Sequence, residues 1–225
     1  MVAAALHRSG CGSSWPSSAD APTSSVSASP DLAFLEGPVL EVAPRLLGAV
    51  LRHGDVAVRL TEVEAYAGSD DPASHAYRGE TPRSSVMFGP AGRLYVYFTY
   101  GMHHCCNVVC GTSGSAAAVL LRAGEVMDGL DLARARRPGV PDPELARGPA
   151  LLCRTLGIDL THNRVELAGG AVTLTPGSTP GETVQTGPRV GVRQGADLPW
   201  RFWLGGQPTV STYRPAAVRR PPAPR

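Results

Sequence analysis

The sequence contains no lysine: all 21 basic residues among its 225 are arginine. No side-chain amine is therefore present to form a Schiff base with an aldehyde or an opened sugar, and only the amine of Met1 could do so. Net charge is also scarce. A formal +2 at pH 7 does not by itself argue for a nucleic-acid partner, because non-specific binding depends on basic groups gathered on one surface. No run approaches the ~20 apolar residues that would span a bilayer, and the Met1–Leu6 run is shorter than the apolar region of a signal peptide. The five cysteines, Cys11, Cys105, Cys106, Cys110 and Cys153, are odd in number and make no CxxC pair. A chain of this size needs no disulfide framework, so reduced thiols and a cytoplasmic location without membrane attachment are expected. A hydrophobic content of 43% is enough to bury the core of one domain.

Residues 1–30 mix Ser, Ala, Pro and Gly without apolar periodicity and are expected to form a disordered tail. Residues 214–225 read as a basic, proline-rich tail, which leaves the folded domain at 31–213. Within it, Val42 to Leu51 has helical apolar spacing, and His53-Gly54-Asp55 turns into an alternating strand from Val56 to Tyr66. Strands at Arg93 to Tyr100 and His104 to Cys110 flank a hairpin signal at Gly101-Met102, and Ala116 to Ala123 reads as a further buried strand. Helices are predicted from Val126 to Arg136, ended by Pro138-Gly139, and from Gly148-Pro149 through Leu156. Gly169 to Thr186 is rich in Gly, Thr and Pro and suits hairpins or loops, before a closing strand at Arg201 to Leu204. Strands followed by clustered helices point to an α+β fold.

A period of two along the first long strand puts Val56, Val58, Leu60, Glu62, Glu64 and Tyr66 on one face, so an apolar face ends in two acids and a tyrosine. Inward acids are costly unless paired, hydrated or used. An ion pair with Arg59 or Arg122 is the purely structural alternative to a chemical role. Nine residues after Tyr66 comes His75, in a segment from Ser69 that reads as a turn into a short helix. On the next strand Tyr95, Tyr97 and Thr99 share one face, with Leu94, Val96, Phe98 and Tyr100 on the other. Tyrosines suit a pocket for a flat base, because the ring stacks while the hydroxyl still finds a polar partner. Tyr100, at the hairpin tip, could wedge between base pairs or fold back on the surface. His103, His104, Cys105, Cys106 and Cys110 have the composition of a metal cluster, but consecutive strand residues point to opposite faces, so no metal is expected there.

In this order the residues resemble the alkyladenine (3-methyladenine) DNA glycosylase family, of the type distinct from helix-hairpin-helix glycosylases, and a bacterial-like member of it. The resemblance is carried by Glu62-Val63-Glu64-Ala65-Tyr66 continuing to His75, by Thr81-Pro82-Arg83, and by Leu94-Tyr95-Val96-Tyr97 through Tyr100-Gly101-Met102 to Asn107. Val119-Leu120-Leu121-Arg122-Ala123, Arg189-Val190-Gly191-Val192 and Arg201-Phe202 extend it over about residues 33–212. It implies a single mixed α+β domain with a curved antiparallel β-sheet flanked by helices. It also implies that Glu64 is the general base that deprotonates a water, with Arg122 holding both in place. Tyr66, His75 and Tyr97 would sandwich a flipped base, Asn107 would help reject normal guanine, and Tyr100 would fill the gap in the duplex. Arg83, Met102 and His103 are candidate DNA contacts, although His103 and His104 stand where some members carry aromatics. Glu62 receives no role.

The implied chemistry agrees with the residue types. Attack on a sugar anomeric carbon builds positive charge there, so one carboxylate can both activate water and stabilise the transition state. A cationic alkylated purine stacked on aromatic rings gains attraction that a neutral base lacks. Without lysine the reaction is expected to stop at the abasic site. The expected partner is double-stranded DNA carrying a damaged base, bound by a monomer without a cofactor. Two rival readings are a non-catalytic binder of distorted or alkylated DNA, which has no use for Glu64, and a nucleoside hydrolase, which would not need Tyr100.

Overall fold

In the computed structural model, which describes residues 31–99 and 101–217, helix α1 spans Val39–Arg45 and strand β1 spans Val50–His53. The apolar run read as one helix from Val42 to Leu51 therefore divides in two. Gly48 is the cause: its φ of 79° is left-handed, and a Cβ there would lie 2.9 Å from the Ser178 carbonyl oxygen. Its N–H donates to the Leu60 carbonyl at 2.8 Å, which begins the pairing that β1 continues. The expected disordered tail at 1–30, Tyr100 and residues 218–225 of the C-terminal tail lie outside the described residues.

Strand β2 spans Val56–Tyr66, as its alternation predicts, and is joined to β1 by the two-residue turn Gly54-Asp55. After a 3-10 turn at Gly68–Asp70, the segment through His75 continues as turns rather than as the expected short helix. Strands β3 (Leu94–Thr99) and β4 (His103–Val109) form the predicted hairpin. Strand β5 runs from Ala118 to Asp128, so Val126 to Asp128 belong to a strand and not to the helix read there. Pairing of Val126 with Val58 and of Asp128 with Ala57 extends it, and Gly129, at φ 70°, turns the chain into α2 (Leu130–Arg136). Helix α3 (Pro149–Leu156) starts on its proline and ends at the left-handed Gly157. Strands β6 (Val172–Thr175), β7 (Val184–Gly187) and β8 (Arg201–Leu204) complete one antiparallel sheet. Its order is β3-β4-β5-β2-β1-β6, with β8 alongside the second half of β2 and β7 alongside β8. The molecule is thus the mixed α+β domain with a curved antiparallel sheet that the resemblance implied.

The face assignment along β2 needs correction. The β2–β5 ladder pairs Leu60 with Gly124, Glu62 with Ala123 and Val63 with Leu121, so Thr61 and Arg122 fall outside the pairing. Such an irregularity flips the alternation of both strands. Val56, Val58 and Leu60 lie in the main core, and so do Val63 and Ala65 beyond the flip. Glu62, Glu64 and Tyr66 are accordingly not on the face of Val56. They lie on the opposite side of the sheet, together with Arg122.

The main core fills the side covered by α1, α2 and α3. On the other side, Ala76, Val86 and Met87 from the long β2–β3 connection pack on Tyr95, Val109 and Ala118. The candidate pocket residues lie between that connection and the sheet.

Candidate active site

The flip at Thr61 brings Glu62 and Glu64 to the same guanidinium. Arg122 Nε donates to Glu62 Oε1 at 2.8 Å, and its Nη1 lies 3.3 Å from Glu64 Oε1. Arg59, the other partner considered from sequence, pairs instead with Glu182. Both acids are fully buried, and their surroundings push them apart. Burial opposes ionisation of Glu62, but Arg122, Arg201 and the two Ser211 donors outweigh it and hold its pKa below the ordinary value. For Glu64 burial prevails over Arg122, the Val190 N–H and the Tyr66 hydroxyl, and its pKa is raised, with Glu62 adding to the rise. Two neighbouring carboxylates with opposite shifts are the usual mark of divided roles.

Glu64 is held at both oxygens. The Val190 N–H donates to Oε1 at 2.7 Å, and the Tyr66 hydroxyl donates to Oε2 at 2.9 Å. Beyond Tyr66 opens a small pocket, with a cavity volume of about 70 Å³, lined by Tyr66, Ser74, His75, Met87, Tyr97 and Asn107 among others. Its aromatic walls suit one flat group. The structure thus brings Tyr66, His75, Tyr97 and Asn107 together on one pocket. Glu64 and Arg122 do not line the pocket; they lie behind the Tyr66 hydroxyl.

The pocket walls are cross-braced. His75 Nδ1 is 2.9 Å from the Tyr95 hydroxyl, and its ring meets Tyr97 edge-on with centroids 4.6 Å apart. Burial, and then the Arg83 cation, lower the His75 pKa to about 4, so the imidazole is neutral near pH 7. The Asn107 amide donates to the Tyr95 carbonyl at 3.0 Å, which fixes its orientation at the wall. The Arg83 guanidinium sits 5.0 Å from the Tyr97 ring centroid, beside the pocket. Burial and the nearby Glu64 carboxylate raise the pKa of the Tyr66 phenol well above its ordinary value, so the hydroxyl remains a donor.

Of the remaining candidates, Met102 and His103 are exposed on the β3–β4 hairpin, Met102 at 69%. On β4, alternation separates the neighbouring thiols. Cys105 pairs with Tyr97 on the pocket-side face, and Cys106 joins the main core. Among the described residues no three His, Cys, Asp or Glu side chains converge as a metal site.

The rear supports were not assigned roles from sequence. Arg189 and Asp71 form a fully buried ion pair, and the Arg189 guanidinium lies 4.6 Å from the Tyr66 ring centroid and 5.1 Å from that of Trp200. It also donates to the Ala65 carbonyl at 2.9 Å, and so places the next residue, Val190, against Glu64. Arg201 and Ser211 close on Glu62. The only sequence signal for Arg189 and Arg201 was their presence in the blocks that carried the resemblance.

Residues 33–208 match the family described as methylpurine-DNA glycosylase. A chain from Frankia casuarinae is 55% identical over 207 residues, which cover 86% of this chain and 97% of that one. One from Streptomyces avermitilis is 52% identical over 197 residues, covering 83% and 92%. One from Nocardia farcinica is 54% identical over 191 residues, covering 81% and 88%. Each of the three carries the name "Putative 3-methyladenine DNA glycosylase". With identity of this degree over nearly the whole of each relative, the chain belongs to the methylpurine-DNA glycosylase family.

Proposed function

We propose that this protein is a monofunctional DNA glycosylase that takes an alkylated purine, such as 3-methyladenine, out of duplex DNA and hydrolyses its N-glycosidic bond. The observation that carries the reading is the contact between a buried carboxylate and the wall of an aromatic pocket, Glu64 against Tyr66. The base stacks against Tyr66, His75 and Tyr97, and Asn107 presents a polar group to its edge. The neutral His75 imidazole does not repel a cationic base. Glu64 takes a proton from water as the water oxygen forms a bond to the anomeric carbon. The electron pair of the broken bond passes to the purine, whose positive charge it cancels, so the alkylated base leaves without needing a further proton. Because Glu64 has no exposed surface in the free protein, the reading requires the Tyr66 hydroxyl to turn aside so that water can reach Oε2.

Arg83, Met102 and His103 lie toward the DNA in this reading, with Tyr100 as the residue that fills the space vacated by the base. The reaction ends at the abasic site, since no lysine amine can add to the sugar aldehyde. The test is release of free methylated purine from duplex DNA treated with a methylating agent. The parent protein should release base, Glu64→Gln should lose that release while still binding the duplex, and borohydride should trap no covalent adduct with abasic DNA. Binding without release by the parent would establish the non-catalytic alternative, and full release by Glu64→Gln would remove the mechanism.

A further inference from the structure

Glu62 is buried and accepts four hydrogen bonds, as many as Asp71, and the proposed reaction does not touch it. Its Oε1 accepts from Arg122 Nε at 2.8 Å, Arg201 Nε at 2.7 Å and the Ser211 hydroxyl at 2.9 Å. Its Oε2 accepts from the Ser211 N–H at 2.7 Å. Two of the four donors come from one residue, which lies just past the stretch that matches the family. Ser211 belongs to an extended segment strapped across the back of the site. Thr209 bonds Thr61 at 2.8 Å at the point where the strand flips, and the Arg214 carbonyl accepts from the Gly191 N–H at 3.0 Å. The strap therefore grips both the flip that presents Glu64 and the loop whose Val190 N–H holds it.

We infer that Glu62, clamped by Ser211, is the positioning residue that holds Arg122 against Glu64 and limits how strongly that arginine's charge is felt there. A buried guanidinium facing a single carboxylate would hold it firmly ionised and weaken it as a base. Arg122 instead faces two carboxylates and shares its charge between them. Arg201, which could add a second positive charge, is also drawn to Glu62. The charged and titratable groups around Glu64 are Glu62 and Tyr66 from β2, Arg122 from β5 and Arg189 from the loop that carries Val190, with Arg201 of β8 behind Glu62. Glu62 is the one whose negative charge raises the basicity of Glu64. The geometry of the two acids and the shared arginine is the ground for the inference, and the direction of these charge effects agrees with it.

The inference rests on the proposed role of Glu64 as base, and the test separates the two. Single-turnover release of base from methylated duplex DNA is measured against pH for the full chain and for Glu62→Gln, Ser211→Ala, Ser211→Thr and Glu64→Gln. Glu62→Gln should move the acid limb of the profile to lower pH by about one unit, the scale on which a neighbouring buried charge acts, and should lower the plateau rate. Ser211→Ala should lower the plateau several-fold with unchanged affinity for DNA, and Ser211→Thr, which keeps the hydroxyl, should restore it. A Glu62→Gln profile of reduced height on an unmoved acid limb would overturn the inference, as would a fully active Ser211→Ala. If Glu62→Gln fails to fold, the Ser211 pair decides the matter alone. Full activity in Glu64→Gln would instead remove the reading on which the inference stands.

Discussion

The Tyr66 hydroxyl donates to Glu64 Oε2 at 2.9 Å, so the wall of the pocket and the buried carboxylate behind it are joined by one hydrogen bond. The same bond helps Glu64 to ionise, against burial, which discourages it. Tyr66→Phe keeps the stacking ring and deletes only the donor. A hydrogen bond to a charged group contributes about 1.5–3 kcal/mol, which corresponds to about one to two pH units. The pKa of Glu64 should rise further in the variant, so the activity lost as pH falls should be lost at higher pH. The pH profile of kcat/KM for base release, which reports the free enzyme with this bond in place, reads the change, and an acid limb at the parent's position would contradict it.

Asp71→Ala should be among the most damaging single changes in the protein. It strands the Arg189 guanidinium, whose two terminal nitrogens both pair with Asp71, in a fully buried position. Removing one partner of such a pair costs about 3–5 kcal/mol, because the charge left behind is neither solvated nor paired. Urea denaturation should show that loss. The double change Asp71→Leu with Arg189→Met should recover part of the stability, and a double variant as weak as Asp71→Ala would show that the ion pair is not the source.

Much of the frame was legible because local signals were undiluted. The β-branched alternation from Val56 bounded β2 correctly, Gly148-Pro149 opened α3 where expected, and Arg201 to Leu204 formed β8. Errors arose where a distant partner decides the outcome. Val126 to Asp128 have helical spacing but are held as strand by Ala57 and Val58, residues far away in sequence. The flip at Thr61 was in fact written in the pattern, because the apolar positions run Val56, Val58, Leu60 and then Val63, Ala65. A strict period of two carried past Thr61 hid it, and with it the reason that Glu62 and Glu64 leave the apolar face. The aromatic pocket was readable because Tyr95 and Tyr97 sit two residues apart on one strand. Its rear supports, Asp71, Arg189 and Ser211, were not, since each acts through a partner whose position only the folded chain supplies.

Gly124 marks the other half of the flip. A Cβ at this position would lie 2.4 Å from both the Arg59 carbonyl oxygen and Val58 Cγ1, and the backbone partner cannot yield as a flexible side chain would. Gly124→Ala should therefore destabilise the fold by about 1–3 kcal/mol, the usual range for forcing extra volume into a packed site. Because Arg122 is only two residues away on the same strand, base release should fall by more than the unfolded fraction explains. A variant as stable and active as the parent would mean that β5 can shift without disturbing Arg122.

His75 links the pocket to stability through its proton. Burial, and then the Arg83 cation, depress its pKa to about 4 in the folded chain, whereas an unfolded imidazole titrates near ~6.5. Between those values the unfolded chain takes up a proton that the folded chain refuses, so this residue makes stability fall as pH drops from about 6.5 toward 4. His75→Asn loses the contact with the Tyr95 hydroxyl and should be less stable than the parent near neutral pH. It has no imidazole to protonate, however, so its deficit should shrink as the solution is made acidic. Urea midpoints for both proteins near neutrality and at about pH 5 test the sign. A deficit that stays constant, or an imidazole resonance of His75 that titrates near ~6.5 in the folded protein, would show that the ring is charged more readily than its surroundings imply. In that case its compatibility with a cationic base would have to come from stacking rather than from neutrality.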